Sequence, residues 1–170
     1  MPDPEFQILL ADLSNAEHAA TLVNLLDQYA RDPMGGGEAL ARSTRDNLAR
    51  VLASRNDVHV LLARVDDHWA GLCNCFEGFS TFACQPLLNI HDVYVAEPYR
   101  GMGIANKMLQ HAEQLALELG CCKLTLEVLS ENHPARRSYL AFGFEPYQLQ
   151  PGCGHAEFWH KKLDTDPVQD

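Results

Sequence analysis

Several groups of residues have types and spacing suited to chemistry. Arg100-Gly101-Met102-Gly103-Ile104-Ala105 stands between an apolar stretch and a segment of helical periodicity. The first turn of a helix carries unbonded N–H groups and the positive end of the helix dipole. Glycines let backbone approach a ligand with no Cβ in the way. Strand, glycine-rich turn and helix together make an anion site, and Arg100 adds a charge-assisted donor. It is not a phosphate loop of the Gly-Lys-Ser/Thr kind, and the third glycine of the dinucleotide fingerprint is missing. Glycines serving only to pack a helix start are the plainer alternative. Ahead of this loop lie His91 and Asp92, and beyond it Glu127. Histidine titrates nearest neutral pH and suits a general base; a carboxylate can do the same or hold a cation. On a sheet face each has a structural alternative, a histidine or carboxylate that is merely hydrogen-bonded. Farther on come Asn132, Ala135 and Tyr139, then Gly143-Phe144.

Positioning these groups requires a sheet with helices around it. Phe6 to Leu10 reads as a first strand. Ser14 and Glu17 form a capping box for a helix carrying Ala19, Leu22, Val23, Leu26, Tyr29 and Ala30. Asp32-Pro33-Met34-Gly35-Gly36-Gly37 breaks it, as a connector or a loop gating substrate. Ser43-Thr44-Arg45-Asp46 opens a second helix, with Leu48, Val51 and Leu52 on one face. Residues 58–65 and 69–76 form a hairpin turning at Asp66-Asp67, and 77–86 is mixed. Residues 88–95 alternate as a strand, with Leu88, Ile90, Asp92 and Tyr94 on one face and Asn89, His91, Val93 and Val95 on the other. Gly103 to Leu119 is a long helix closed by Gly120. Residues 123–128 form a strand and 134–141 a helix. A last hairpin turns at Pro151-Gly152-Cys153-Gly154 and returns through Phe158 and Trp159. The expected fold class is α+β, a mixed α/β sheet flanked by helices. One domain spans 1–170, with its core at 5–163 and a polar tail at 164–170.

Composition narrows the partners. The chain has 170 residues, 46% hydrophobic and 21% charged, as in ordinary globular domains. Its net charge is −10, without a basic cluster able to track a phosphate backbone, so nucleic acid is a poor partner. An acidic surface steers cations rather than anions towards it. The N-terminus lacks the basic-then-apolar pattern of a signal peptide, and no apolar run reaches membrane-spanning length. The expectation is a cytoplasmic protein without a membrane partner. Among the six cysteines, Cys73 and Cys75 lack a second Cys/His pair at zinc spacing, so no metal is expected. Buried, reduced thiols are the favoured reading.

Three pieces in register resemble one family. Arg100-x-x-Gly103-x-Ala105, Asn132-x-x-Ala135-x-x-x-Tyr139 and Gly143-Phe144 are similar to the signature of the GCN5-related N-acetyltransferases, over residues 88–145. The resemblance implies their fold: a central, mostly antiparallel sheet with a splayed pair of strands. It implies acetyl-CoA as cosubstrate. Val93, Tyr94 and Val95 would pair with the pantetheine arm. The N–H groups of Arg100, Gly101, Met102, Gly103, Ile104, Ala105 and Asn106 would hold the pyrophosphate. Asn132 and Ala135 would lie near the pantetheine, and Tyr139 would protonate the departing thiolate. A homodimer is also common in this family. Residues 86–95 resemble the spermidine/spermine N-acetyltransferase-like branch, with His91 where that branch usually has Glu before Asp92. Amine acetylation needs the thioester held, its carbonyl polarised, the ammonium deprotonated and the thiolate protonated. His91, Asp92, Glu127 or a water would be the base. The expected acceptor is a small amine: a polyamine, an amino acid or an aminoglycoside-like compound. The alternatives are a protein N-acetyltransferase, a non-catalytic acyl-CoA sensor, and a nucleotide-dependent transferase, for which no catalytic Lys or carboxylate cluster is visible near the loop.

Overall fold

A computed structural model describes residues 6–163, and the chain divides into two compact units, Met1–Leu129 and Ser130–Asp170. The expected polar tail at 164–170 lies outside the described residues. In the first unit the elements are β1 (Phe6–Leu10), α1 (Ala16–Arg31), α2 (Arg42–Ala53), β2 (Val58–Val65), β3 (His68–Ser80), β4 (Gln85–Val95), a single 3-10 turn (Glu97–Tyr99), α3 (Ile104–Glu118) and β5 (Leu124–Leu126). The strands lie in sheet order β1-β2-β3-β4-β5. Neighbours pair antiparallel except β4 with β5, which are parallel. A parallel pair needs a crossover, and α3 supplies it.

The β2–β3 hairpin turns at Asp66, whose φ of 49° is a left-handed conformation that Asp tolerates. Alternation along β2 and β3 separates two apolar layers. Val60, Leu62, Leu72 and Tyr94 cluster with Leu22 and Leu25 of α1 and Leu52 of α2. Ala63 and Gly71 face the other way, towards α3. A Cβ on Gly71 would lie 3.2 Å from Met108 Cε and 3.3 Å from Ala63 Cβ, so glycine there permits the helix to approach. Ile104, Met108, Leu109 and Ala112 are buried along α3. Each fully buried Leu in these layers contributes about 1.5–3 kcal/mol of transfer free energy.

Local corrections follow from specific contacts. The expected Ser14–Glu17 capping box does not form. Asn15 caps α1 instead, its Oδ1 accepting from the N–H groups of Glu17 and His18. Ser14 donates its hydroxyl to Asp12. Val51 points outward from α2, while Leu52 is buried. The mixed stretch 77–86 is not a loop: β3 runs to Ser80 and pairs with β4 from Gln85. His59 and Glu77 meet there at 2.7 Å, which keeps polar side chains inside a strand. β5 keeps only three residues of the expected 123–128.

The second unit contains α4 (His133–Phe142). The expected closing hairpin is not a ladder among the described residues 143–163. Cys153 N–H donates to Gln150 O and Ala156 N–H to Tyr147 O, so the chain reverses without forming strands. Phe158 and Trp159 are exposed.

Candidate active site

The register of β4 against β3 slips by one residue. Cys73 pairs with Val93 and Asn74 with Asp92, but Cys75 pairs with Ile90. His91 is the extra residue of a β-bulge. Directly opposed residues share a face, and the Cys73 and Cys75 thiols, two residues apart, lie together at 3.7 Å. Ile90 and Val93 therefore share the α3 face, although three residues separate them. The strict alternation expected for 88–95 is thus overturned: Leu88 and Ile90 face α3, while Asp92 and Tyr94 face α1 and α2. His91 packs edge-on against Phe76, ring centroids 5.3 Å apart. Phe76 and Asn74 share one face of β3. The bulge thereby brings His91 and Asp92, expected on opposite faces, onto the same one.

The same bulge marks where β4 and β5 part. They pair only from Leu88–Leu124 to Ile90–Leu126, yet β4 continues to Val95. Ala96 N–H donates to Ala70 O on the β3 side. The peptide is trans, so Val95 C=O points the opposite way, into the gap. The main-chain groups of Val93 point there too, two residues earlier. Those of Tyr94 point to β3, opposite Leu72. Tyr94 instead sends its ring to Tyr29, centroids 5.7 Å apart.

Beyond the 3-10 turn, Gly101 and Gly103 adopt φ of 82° and 81°. Their missing Cβ atoms would meet nothing within 4 Å, so the conformation, not crowding, selects glycine. Gly103 caps α3 without a side-chain bond. The first helical bond runs from Lys107 N–H to Gly103 O. Among the described residues, no backbone acceptor takes the N–H groups of Gly101 to Asn106, which is the open first turn that an anion requires.

Arg100 departs from its expected role. Its Nε donates to Val95 O at 3.0 Å and its Nη2 to Asp32 at 2.9 Å, with the guanidinium 5.7 Å from the Tyr94 ring centre. It braces the start of the loop against the end of α1 rather than projecting as a free phosphate donor. Asp32 also accepts from Met34 N–H at 2.9 Å. That bond first, and the Arg100 bond second, hold its carboxyl below the usual carboxylate range. The expected gating segment 32–37 is tied to the loop through this carboxylate.

Other candidate groups are engaged by neighbouring side chains. Asp92 Oδ2 accepts from Asn74 Nδ2 at 2.9 Å. Burial first, then the charges of Asp92 and Asp32, push the Tyr29 phenol above its ordinary value. Glu127 is engaged by Asn89, whose Nδ2 lies 3.3 Å from each carboxylate oxygen. Asn74 and Tyr29 were missed as site residues. A lone Asn inside Leu72-Cys73-Asn74-Cys75-Phe76 was the available signal.

In the second unit, Asn132 caps α4. Its Oδ1 accepts from Ala135 N–H at 3.3 Å, which gives the Asn-x-x-Ala spacing a local cause. Gly143, at φ 110°, ends the helix, and Phe144 folds back edge-on against Tyr139, 5.9 Å between ring centres.

Cys73 and Cys75 are buried, but Cys84, Cys122 and Cys153 are exposed and Cys121 half-buried, so the expectation of buried thiols holds for only part of the set. The hydrogen bond with Cys75 first, and burial second, push the Cys73 thiol well up, away from nucleophilic reactivity. A cavity of about 450 Å³ between α1 and α2 is lined by Val23, Asn24, Asp27, Arg45 and Ala49, among others, and shares no residue with β4 or the loop. No described helix is long and apolar enough to cross a membrane.

With the bulge, parted strands and glycine loop in view, comparison with known proteins is decisive. The model of the acetyltransferase (GNAT) family matches residues 20–144. The chain belongs to the acetyltransferase (GNAT) family. It is 28% identical over 103 residues to a Bacillus subtilis protein assigned as a ribosomal protein bS18-alanine N-acetyltransferase, covering 61% of this chain and 64% of that one. It is 37% identical over 71 residues to thialysine N-epsilon-acetyltransferase of Bos taurus, covering 42% of this chain and 38% of that one. The matches thus span less than two thirds of either relative. Among solved structures, a probable acetyltransferase superposes with a TM-score of 0.73 at 27% identity, over 96% of this chain and 99% of that one. As a GNAT fold, the expected central sheet with a splayed pair is present. Within the first unit, the loop at 100–106, the strand end at 93–95 and the His91–Asp92 pair converge on one end of β4. Asn132, Ala135 and Tyr139 belong to the second unit.

Proposed function

We propose that this chain is an acetyl-CoA-dependent N-acetyltransferase acting on the primary amine of a small cationic acceptor by direct attack. One observation carries the reading: a single bulge puts His91 and Asp92 side by side where β4 leaves β5 and runs into an open glycine loop. The N–H groups of Gly101 to Asn106 would take the pyrophosphate, and the main-chain groups of Val93 and Val95 the pantetheine arm. Asn132 and Ala135 are assigned to the pantetheine side by the family's motif spacing. Residues 1–170 would act as one N-acetyltransferase domain.

The chemistry is balanced by four groups. Asp92 would hold the ammonium of the acceptor. His91 would remove its proton, directly or through water. The freed amine nitrogen attacks the thioester carbonyl, whose oxygen is polarised by main-chain N–H groups. A C–N bond forms, the C–S bond breaks, and Tyr139 gives its proton to the departing thiolate. The acidic chain, of net charge −10, favours approach of a cation. No metal is assigned a step. A cytoplasmic homodimer, with neither nucleic acid nor membrane as partner, completes the proposal.

The test is CoA release with acetyl-CoA over a panel containing thialysine, 1,4-diaminobutane, an aminoglycoside and peptides with a free N-terminus. Turnover of small amines supports the reading. Turnover of peptides alone moves it to a protein N-acetyltransferase. CoA binding with no turnover across the panel overturns it in favour of an acyl-CoA-binding module.

A further inference from the structure

We infer that Asn74 is a positioning residue for the acceptor, acting through Asp92; this rests on the function proposed above. Asn74 sits in the middle of β3, only 2% exposed, between Val60 on β2 and Asp92 on β4. Its face of the sheet is the apolar layer of Leu62, Leu72 and Phe76 against α1. An amide here has one visible partner: Nδ2 donates to Asp92 Oδ2 at 2.9 Å. That bond fixes the amide's orientation, since the reverse would set a carbonyl oxygen against a carboxylate. Oδ1 is then left without a donor from any described residue. A buried, unpaired acceptor is destabilising. An apolar side chain of the same size would avoid that cost and suit the layer. The fold keeps the amide, and what it gains is a fixed Asp92.

The choice of an amide matters electrically. A Lys or Arg at this position would neutralise Asp92. An amide N–H orients one carboxylate oxygen and leaves the full negative charge for an ammonium. Because Asp92 follows the bulge, its carboxylate is not held by a regular neighbour on β5, so the cross-strand bond to Asn74 is what sets its rotamer. Tyr29, tilted against Tyr94 from α1, walls the same region. Asn74 therefore sets acceptor affinity without touching acetyl-CoA.

The experiment uses the full chain with CoA bound and 1,4-diaminobutane as calorimetric probe, alongside steady-state kinetics with the best amine of the panel. Asn74→Leu is expected to weaken probe binding and raise the acceptor KM at least tenfold. It should leave the acetyl-CoA KM unchanged and the melting temperature unchanged or higher. In an Asp92→Ala background, Asn74→Leu should add nothing, because the role runs through Asp92. Asn74→Val, suited to a strand, replaces the Leu variant if that one does not fold. Equal probe affinity in wild type and Asn74→Leu, with loss in Asp92→Ala, overturns the role of Asn74 and leaves the proposed function standing. Absence of probe binding to the wild type, with no turnover of any amine, removes the proposed function and this inference with it.

Discussion

Asp32 and Arg100 are joined by a 2.9 Å ion pair across 68 residues of sequence. The pair links the C-cap of α1 to the residue that opens the glycine loop. The segment after α1 and the glycine loop are therefore fastened at one point. Asp32 is lowered below the ordinary carboxylate range, so its contribution to stability is complete above that range and lost as pH falls through its folded value. With Arg100 half-exposed, the contribution is about 1 kcal/mol at most. Asp32→Asn should lower the melting temperature at neutral pH, and the difference from wild type should begin to shrink only below about pH 4 and vanish once the pH lies below the folded value of Asp32. Thermal melts across that range check it; a gap that persists in acid would assign the effect to something other than charge.

The same pair separates two roles for Arg100. If it is a strut, Asp32→Asn and Arg100→Ala both loosen the loop, and CoA affinity falls in both. If it is a phosphate donor restrained by Asp32, Asp32→Asn frees it and affinity rises. The bond to Val95 O favours the strut, and we expect a fall of roughly tenfold in each variant, as for one charge-assisted bond. Calorimetry with CoA decides.

At Gly103 a Cβ would have room but the wrong dihedral angle, φ 81°. Gly103→Ala should cost about 1–2 kcal/mol in folding free energy. It should also weaken CoA, since the relaxed turn no longer aims its N–H groups at one point. Chemical denaturation and CoA titration measure the two effects. Stability lost with CoA affinity intact would dissociate this turn from the pyrophosphate.

His91→Ala should lower kcat about 10²–10⁴-fold near neutral pH, the usual worth of a general base. The deficit should shrink as pH rises towards about 10, where the ammonium of the acceptor loses its proton unaided. A deficit constant with pH would make His91 a packing residue on Phe76. Tyr139→Phe makes the complementary prediction: kcat falls by about 10²-fold or more while CoA affinity holds. Unchanged kcat would take Tyr139 out of the reaction.

Much of the fold was legible because periodicity and breakers agreed. Asp32-Pro33 ended α1, Asp66-Asp67 turned the hairpin, and Gly103 and Gly120 bracketed α3. What escaped were features fixed by partners distant in sequence. The bulge at His91 is a register decision between β3 and β4, and nothing within 88–95 signals it. The cap passed from Ser14 to Asn15 because Asp12 competes for the serine hydroxyl. Arg100 looked like a free cation because Asp32 is remote in sequence. Phe158 and Trp159 suggested a returning strand, but their apolar character alone does not supply a partner edge.

The extra residue in β4 also divides the labour of one strand. Before His91, Leu88 and Ile90 build the floor beneath α3; after it, Asp92 and Tyr94 look towards α1 while Val93 keeps to the α3 side. Substitutions at 92 or 94 therefore change the α1 side of the strand while the α3 side stays as it was. Deleting His91 would leave Ile90 opposite Cys75 and Asp92 opposite Asn74 in an unbroken ladder, so the strand would keep both faces and lose only the side chain that the bulge adds to one of them.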